Sequence, residues 1–231
     1  MCPFFCIIMR QRQIISIGLI VKELLKMSDK TNKKFWDKFA KLYAFFMKKD
    51  KGFYDKICGY INPYLSKDMN VLELACGSGQ LSFNLSKYTK SWIATDFSEQ
   101  MILEARKHGG YENLVFEIAD ATSLNFVDGE FDCVVIAHAL HIMPNPDKAM
   151  IEIYRVLKPN GILFAPTFLW KEGKQSKFKK RLMYIVGFKM YKEWDKKQFE
   201  DFTHEYGFSV AEMKLVNGGL APVGVLIAYK K

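Results

Sequence analysis

Short apolar runs are the feature that most constrains the fold of this chain. Five occur before residue 170, at 71–75, 92–95, 115–119, 131–137 and 162–168. Apolar runs of this length are typical of strands that are buried on both faces of a parallel sheet. Amphipathic stretches separate most of them, so strand and helix patterns alternate. The sequence therefore predicts an α/β fold with a doubly wound, mostly parallel sheet, which binds ligands at the carboxyl ends of its strands.

The pattern changes at both ends of this region. Two helices are predicted before the sheet, at 32–49 and 53–65, and a basic segment with an apolar stripe follows strand five at 171–192. A helix at 195–206 ends at Gly207, and two further strands follow at 208–216 and 223–229. Because Gly218 and Gly219 suit a hairpin between them, we expect seven strands with the last one antiparallel.

The predicted domain organisation is simple. A chain of 231 residues is expected to form one main domain, here 27–231, with helical cap elements at 32–65 and 170–194. Residues 1–26 differ in composition, and their apolar run at 14–21 is too short to span a bilayer. We expect 1–26 to be an extra segment, with a mis-extended start, a real helix and a targeting segment all left open.

Charge and cysteine content limit the partners. The formal net charge is +9, but the lysines are spread widely, which is typical of a solvated basic surface. None of the five cysteines forms a CxxC pair, and no His/Cys cluster has zinc spacing. The odd cysteine count favours a reducing compartment, so we expect a cytoplasmic protein without a metal site.

The ends of the predicted strands carry the residues that suit a nucleoside ligand. Glycines after strand one allow the backbone to approach a ligand closely. Asp96 ends strand two, where a carboxylate can accept both hydroxyls of a ribose. Asp120 and Ala121 follow strand three, where a carboxylate and an N–H can bracket an adenine edge. A dinucleotide-binding loop would need a third glycine where the chain has Ser82.

This ordered set resembles the class I S-adenosylmethionine-dependent methyltransferases, particularly their small-molecule, ubiquinone/menaquinone-type branch. The resemblance covers about 35–230 and implies a Rossmann-like sheet, with S-adenosyl-L-methionine as cofactor and S-adenosyl-L-homocysteine as product. One departure is Ala75, which stands where the family often has its first glycine.

The resemblance also implies a set of cofactor-binding residues. They are Tyr43, Glu73, Ala75, Gly77, Ser78, Gly79, Asp96, Phe97, Met101, Asp120, Ala121 and His138. In this assignment Glu73 and the loop 75–79 hold the methionine moiety. Asp96 binds the ribose, with Phe97 and Met101 against the adenosine.

The remaining assignments concern the far ends of the cofactor. Asp120 and Ala121 are expected to bind the adenine. His138, just after strand four, is expected near the sulfonium and the methyl acceptor, and Tyr43 is expected to close over the cofactor from the first helix.

Methyl transfer requires alignment of donor and acceptor more than chemical activation, because the sulfonium donor is already reactive. A base is needed only if the acceptor must lose a proton. His138 and His141 are the candidate catalytic residues for that role, and the alternative is that they only shape the pocket.

Two aromatic segments are expected to roof the acceptor pocket. The first contributes Phe35, Trp36, Phe39, Tyr43 and Phe46, and the second Trp170, Met183, Tyr184, Phe188 and Tyr191. Such side chains form an apolar pocket that suits a flat or lipid-like acceptor.

The expected function is therefore methyl transfer to a small-molecule or lipid-like acceptor. The alternatives are a nucleic-acid methyltransferase and a non-catalytic S-adenosylmethionine-binding protein. Nucleic acid is disfavoured because Met143-Pro144-Asn145-Pro146 stands where base-methylating enzymes have an Asn/Asp-Pro-Pro-aromatic tetrad. Weak contact with a membrane surface, the oligomeric state and the choice among O-, N-, S- and C-methylation are left open.

Overall fold

The computed structural model describes residues 36–37, 40, 51–172, 190–217 and 221–231. These residues form one seven-stranded sheet with the order β3-β2-β1-β4-β5-β7-β6. The strands are β1 (Asn70–Leu74), β2 (Ser91–Asp96), β3 (Leu114–Ile118), β4 (Phe131–Ile136), β5 (Leu157–Phe168), β6 (Phe208–Asn217) and β7 (Pro222–Lys230). Strands β1 to β5 pair in parallel, whereas β7 runs antiparallel to both β5 and β6. This confirms the predicted Rossmann-like sheet and its antiparallel last strand.

Five helices with described ends flank the sheet. They are α1 (Lys51–Ile61), α2 (Gln80–Leu85), α3 (Glu99–Arg106), α4 (Pro146–Val156) and α5 (Lys196–Glu205). Short 3₁₀ turns follow at Asn62–Tyr64, Ser86–Tyr88 and Leu140–Ile142. Residues 36, 37 and 40 are also helical, but most of the predicted helix at 32–49 lies outside the described residues, as do 1–26, 173–189 and the turn at 218–220.

Side-chain caps and one glycine set the predicted helix boundaries. The Ser98 Oγ accepts a hydrogen bond from the Met101 N–H at the start of α3. Asp195 and Gln198 form a reciprocal capping box at the start of α5. Gly207 follows α5 with φ +85°, a conformation that glycine adopts without steric cost.

The core lies in two layers, one on each face of the sheet. One layer packs α1, α2 and α3 against the sheet, and the other packs α4 and α5 against its opposite face. Cys58, Cys76 and Cys133 are buried free thiols in the first layer. Burial raises the pKa of the Cys58 thiol to about 12, so we expect an unreactive thiol there.

The first residues of β5 include a turn whose backbone differs from the prediction. In the turn Lys158-Pro159-Asn160-Gly161 the sequence predicts a positive φ at the glycine, but Asn160 has it, at φ +61°. This prediction was wrong because asparagine also tolerates the left-handed region. Gly161 is needed for close approach instead, since a Cβ there would lie 2.8 Å from the Lys158 carbonyl oxygen. The residues between Leu157 and Ile162 form an irregularity in the pairing with β4.

Candidate active site

A cavity of about 390 Å³ lies at the carboxyl edge of the parallel strands. Its volume falls in the range of small-molecule sites. The predicted site residues that line it are Ala75, Gly77, Asp96, Phe97, Met101, Asp120, Ala121 and His138. Loops after four neighbouring strands thus converge on one pocket, as expected for a doubly wound sheet.

The loop between β1 and α2 has an unusual backbone. Ala75, Gly77 and Gly79 all have positive φ, at +52°, +56° and +85°. A left-handed conformation costs a residue with a Cβ about 1–2 kcal/mol, so Ala75 is strained where the two glycines are not. A Cβ on Gly79 would lie 2.7 Å from the Phe83 ring. The turn therefore requires glycine at position 79.

Asp96 joins this loop to the one after β2. Its Oδ2 accepts from the Gly77 N–H at 2.9 Å, and its Oδ1 accepts from the Ser98 N–H at 2.9 Å. Burial raises the pKa of this carboxyl to about 6. A carboxylate offers about four acceptor positions, so Asp96 can still accept from both hydroxyls of a ribose. The acceptor positions left on Asp96 therefore fit the ribose of a nucleoside cofactor.

Asp37, one of the helical residues before α1, contacts the start of α3. Its Oδ1 accepts from the Ser98 Oγ at 2.5 Å. Ser98 thereby connects Asp37 with α3 and with the loop that follows Asp96. Trp36, one residue earlier, lines the cavity.

Asp120 lies on the exposed side of the cavity. Its Oδ1 accepts from both the N–H and the Oγ1 of Thr122, each at 2.8 Å. The neighbouring Ala121 is buried, and the Ala119 N–H donates to the Asp96 carbonyl oxygen at 3.2 Å. These bonds fix the loop after β3 beside Asp96.

Four predicted site residues do not line the cavity, namely Glu73, Ser78, Gly79 and His141. Glu73 is buried in the sheet, where its Oε2 accepts from the Ser82 Oγ at 2.5 Å and from the Trp92 Nε1 at 2.8 Å. Burial raises the pKa of its carboxyl to about 7. Glu73 thus connects β1 with α2 and β2. Tyr43, the remaining predicted cofactor-binding residue, lies outside the described residues.

His138 sits on the cavity wall in a strained conformation. Its φ is +55°, and its N–H donates to the Pro166 carbonyl oxygen at 2.7 Å. Its ring lies against Phe53 and Phe168, with centroid distances of 5.7 and 4.8 Å. Burial lowers the pKa of His138 to about 4 and that of His141 to about 3, so both are neutral at pH 7. Such a weakly basic imidazole favours hydrogen bonding over proton abstraction.

Residues 190–194 lie beside the cavity and contribute Tyr191 to its wall. The N–H groups of Tyr191 and Lys192 donate to the His141 carbonyl oxygen at 2.9 and 3.1 Å. The Lys171 N–H donates to the Trp194 carbonyl oxygen at 3.1 Å. Tyr191 lines the cavity, so Trp36 and Tyr191 represent both predicted roof segments there.

Eight further residues that the sequence did not predict also line the cavity. The further lining residues are Ala119, Thr122, Ala137, Ala139, Ile142, Met143, Pro144 and Asn145. All of them flank a strand end that was already identified or follow β4 directly. Their position in the chain was therefore a usable signal, although most are apolar and carry no motif of their own.

The described part of the chain contains neither a candidate metal site nor a candidate membrane-spanning helix. No group of three or more His, Cys, Asp or Glu side chains in it is arranged to hold a metal ion. Nor does any helix there combine the length and the apolar character that a bilayer crossing requires.

Comparison with known proteins identifies the family of this chain. Residues 72–165 match the family described as "Methyltransferase domain". The ubiquinone/menaquinone biosynthesis C-methyltransferase UbiE of Rickettsia prowazekii is 31% identical over 190 residues, which cover 70% of this chain and 76% of that protein. The same enzyme of Rickettsia typhi is 37% identical over 102 residues, 40% of this chain and 41% of that protein. The chain thus spans less than half the length of several relatives that it matches.

A solved structure has the same fold. The putative methyltransferase of Haloferax volcanii, in complex with the activator Trm112, superimposes with a TM-score of 0.70 at 17% identity. The match covers 84% of this chain and 96% of that one. The Rickettsia prowazekii relative and the matching family model together show that the chain belongs to the S-adenosylmethionine-dependent methyltransferase family that includes the ubiquinone/menaquinone biosynthesis C-methyltransferases.

Proposed function

We propose that this chain transfers a methyl group from S-adenosylmethionine to a carbon of a small, planar, quinol-type acceptor. The observation that carries the proposal is the convergence of the glycine loop, Asp96 and Asp120 on one cavity that an apolar wall continues. The quinol class and the C-methylation are inferred from the relatives, which are C-methyltransferases of ubiquinone and menaquinone biosynthesis.

The chain's own residues suit each part of the cofactor. Asp96 would accept from the ribose hydroxyls, and Asp120 with Ala121 would hold the adenine. The loop 75–79 would face the methionine moiety. When bound, S-adenosylmethionine supplies an electrophilic methyl group on a sulfonium. The aromatic rings of Trp36 and Tyr191 line the same cavity, and aromatic faces attract cationic groups.

The acceptor side is largely apolar. Ile142, Met143 and Pro144 line it together with Tyr191. Such a wall suits a planar ring and excludes water from the reacting atoms. Since a quinol ring is already electron-rich, alignment against the donor is the main contribution that the protein must make.

Cofactor binding is tested by Asp96→Asn. An amide cannot accept from both the Gly77 and Ser98 N–H groups and also from two ribose hydroxyls, so we expect affinity for S-adenosylhomocysteine to fall by about 1–3 kcal/mol. Isothermal calorimetry measures this directly. Asp201→Asn, on the exposed face of α5, is the matched control and should bind as the native chain does. Equal affinities for the native chain and Asp96→Asn would remove Asp96 from the cofactor site.

The reaction is tested with S-adenosylmethionine and a panel of reduced polyprenyl-naphthoquinols and benzoquinols. We expect a product that gains one CH₂ by mass spectrometry, with the new methyl on a ring carbon by NMR. A methyl ether would contradict C-methylation, and no product on any quinol would contradict the acceptor class.

A further inference from the structure

His138 and His141, beside the cavity, have unused hydrogen-bonding capacity. Within the described part of the chain, three imidazole nitrogens are shielded from solvent and have no hydrogen-bond partner: His138 Nδ1, His138 Nε2 and His141 Nδ1. The rings of Phe53, Tyr54 and Phe168 surround His138. We call His138 with these three aromatic residues the histidine seat.

Shielded imidazole nitrogens without partners cost free energy of folding unless a bound molecule supplies the missing hydrogen bonds. A buried polar group without a partner is destabilising, and native structures leave few of them. His138 also has a left-handed backbone conformation, which adds strain. An apolar ring would stack between Phe53 and Phe168 without leaving two nitrogens unpaired. Because the described part of the chain offers this ring no polar partner, a bound ligand is expected to supply one.

The position of the histidine seat in the cavity indicates which ligand would supply the hydrogen-bond partner of His138. His138 lines the cavity, on a wall shared with Ile142, Met143 and Tyr191. The ribose and adenine positions are assigned to Asp96 and Asp120, which lie on the loops after β2 and β3, whereas His138 follows β4. The seat therefore lies on the part of the pocket that is left for the acceptor.

We propose that His138 binds an oxygen substituent on the acceptor ring, and so selects planar acceptors that carry a hydroxyl or carbonyl group. This inference rests on the proposed function. On binding, the imidazole turns about its Cβ–Cγ bond and presents one nitrogen to the cavity. A neutral imidazole has one donor and one acceptor nitrogen, so it can accept from a hydroxyl or donate to a carbonyl. His138 acts here by orienting the ring; the proton that the methylated ring carbon loses is released to solvent and is not transferred to His138.

The experiment compares two probes of similar shape in the presence of S-adenosylhomocysteine. They are 1,4-dihydroxynaphthalene and 1,4-dimethylnaphthalene, and calorimetry gives their dissociation constants. We expect the native chain to bind the diol at least tenfold more tightly. His138→Phe keeps a ring between Phe53 and Phe168 and should lose this preference, which is measured at saturating S-adenosylhomocysteine for both proteins.

Rescue and control variants separate recognition from folding. His138→Asn keeps a donor and an acceptor and tolerates positive φ, so it should recover part of the preference. His108→Phe alters an exposed histidine and should behave as the native chain does. A diol preference that persists in His138→Phe would overturn the proposal.

The native chain tests the proposal without any variant. If it binds S-adenosylhomocysteine but shows no preference for the diol, the role of His138 is refuted and the cofactor assignment stands. If it does not bind S-adenosylhomocysteine, the proposed function itself fails.

Discussion

The buried carboxyl of Glu73 predicts an unusual dependence of stability on pH. Burial raises its pKa from 4.5 to about 7, and the nearby Asp96 adds to the effect, although the Ser82 and Trp92 hydrogen bonds oppose it. The folded chain therefore holds a proton that the unfolded chain loses at lower pH. Stability from this group is fully present below pH 4.5 and is lost as the pH rises to about 7.

The magnitude follows from the size of this pKa difference. At about 1.4 kcal/mol per pH unit, the rise from 4.5 to about 7 costs about 3 kcal/mol in all. Part of that loss has already occurred at pH 5, where the unfolded carboxyl is mostly ionised. Between pH 5 and pH 8 the native chain should thus lose about 2.5 kcal/mol more stability than Glu73→Gln. The glutamine oxygen can still accept from Ser82 and Trp92, so the variant keeps the local geometry.

Urea unfolding followed by circular dichroism at pH 5, 6, 7 and 8 measures both free energies. The buried histidines titrate equally in both proteins, so their contribution cancels in the difference. Glu117→Gln, on the exposed side of edge strand β3, is the matched control and should follow the native curve. Parallel curves for the native chain and Glu73→Gln would refute the argument.

Two further predictions concern the loop after β1, and urea unfolding tests both. Ala75→Gly should stabilise the chain by about 0.5–1 kcal/mol, because relief of the left-handed strain exceeds the entropy cost of glycine; a loss of stability would contradict the assigned backbone strain. Gly79→Ala should destabilise it by about 2 kcal/mol or more, since the new Cβ would combine positive φ with a contact at 2.7 Å to the Phe83 ring. Gly59→Ala in α1 is the matched control, with open space around the new Cβ and a gain in helix propensity, and it should be neutral or stabilising.

Much of the fold could be predicted because the chain's local patterns agree with its tertiary structure. Each apolar run lies in a strand, and Ser98 and Gly207 bound helices as their residue types suggest. The position of Asp96 was also predictable, because residues that directly follow parallel strands meet at one edge of the sheet.

The side-chain partners could not be predicted in the same way. The acidic residue in β1, Glu73, was expected to face the cofactor, but its neighbours Ser82 and Trp92 lie 9 and 19 residues away and only the folded sheet brings them together. The strain at His138 and its stacking with Phe53 likewise depend on packing between distant elements. The positive φ at Asn160 instead of Gly161 reflects a pairing irregularity with β4 that no local pattern encodes.

The order of strands in the sheet has a consequence for synthesis on the ribosome. Strand β5 has twelve residues, most of them buried, and its outer edge is covered by β7, which is the last strand in chain order. A nascent chain that has completed β5 therefore exposes a long, apolar, unpaired edge until β7 has emerged. Unpaired edges of this kind invite association with other chains. Truncations that remove β7 should therefore cause aggregation even though the residues of the candidate site are all retained.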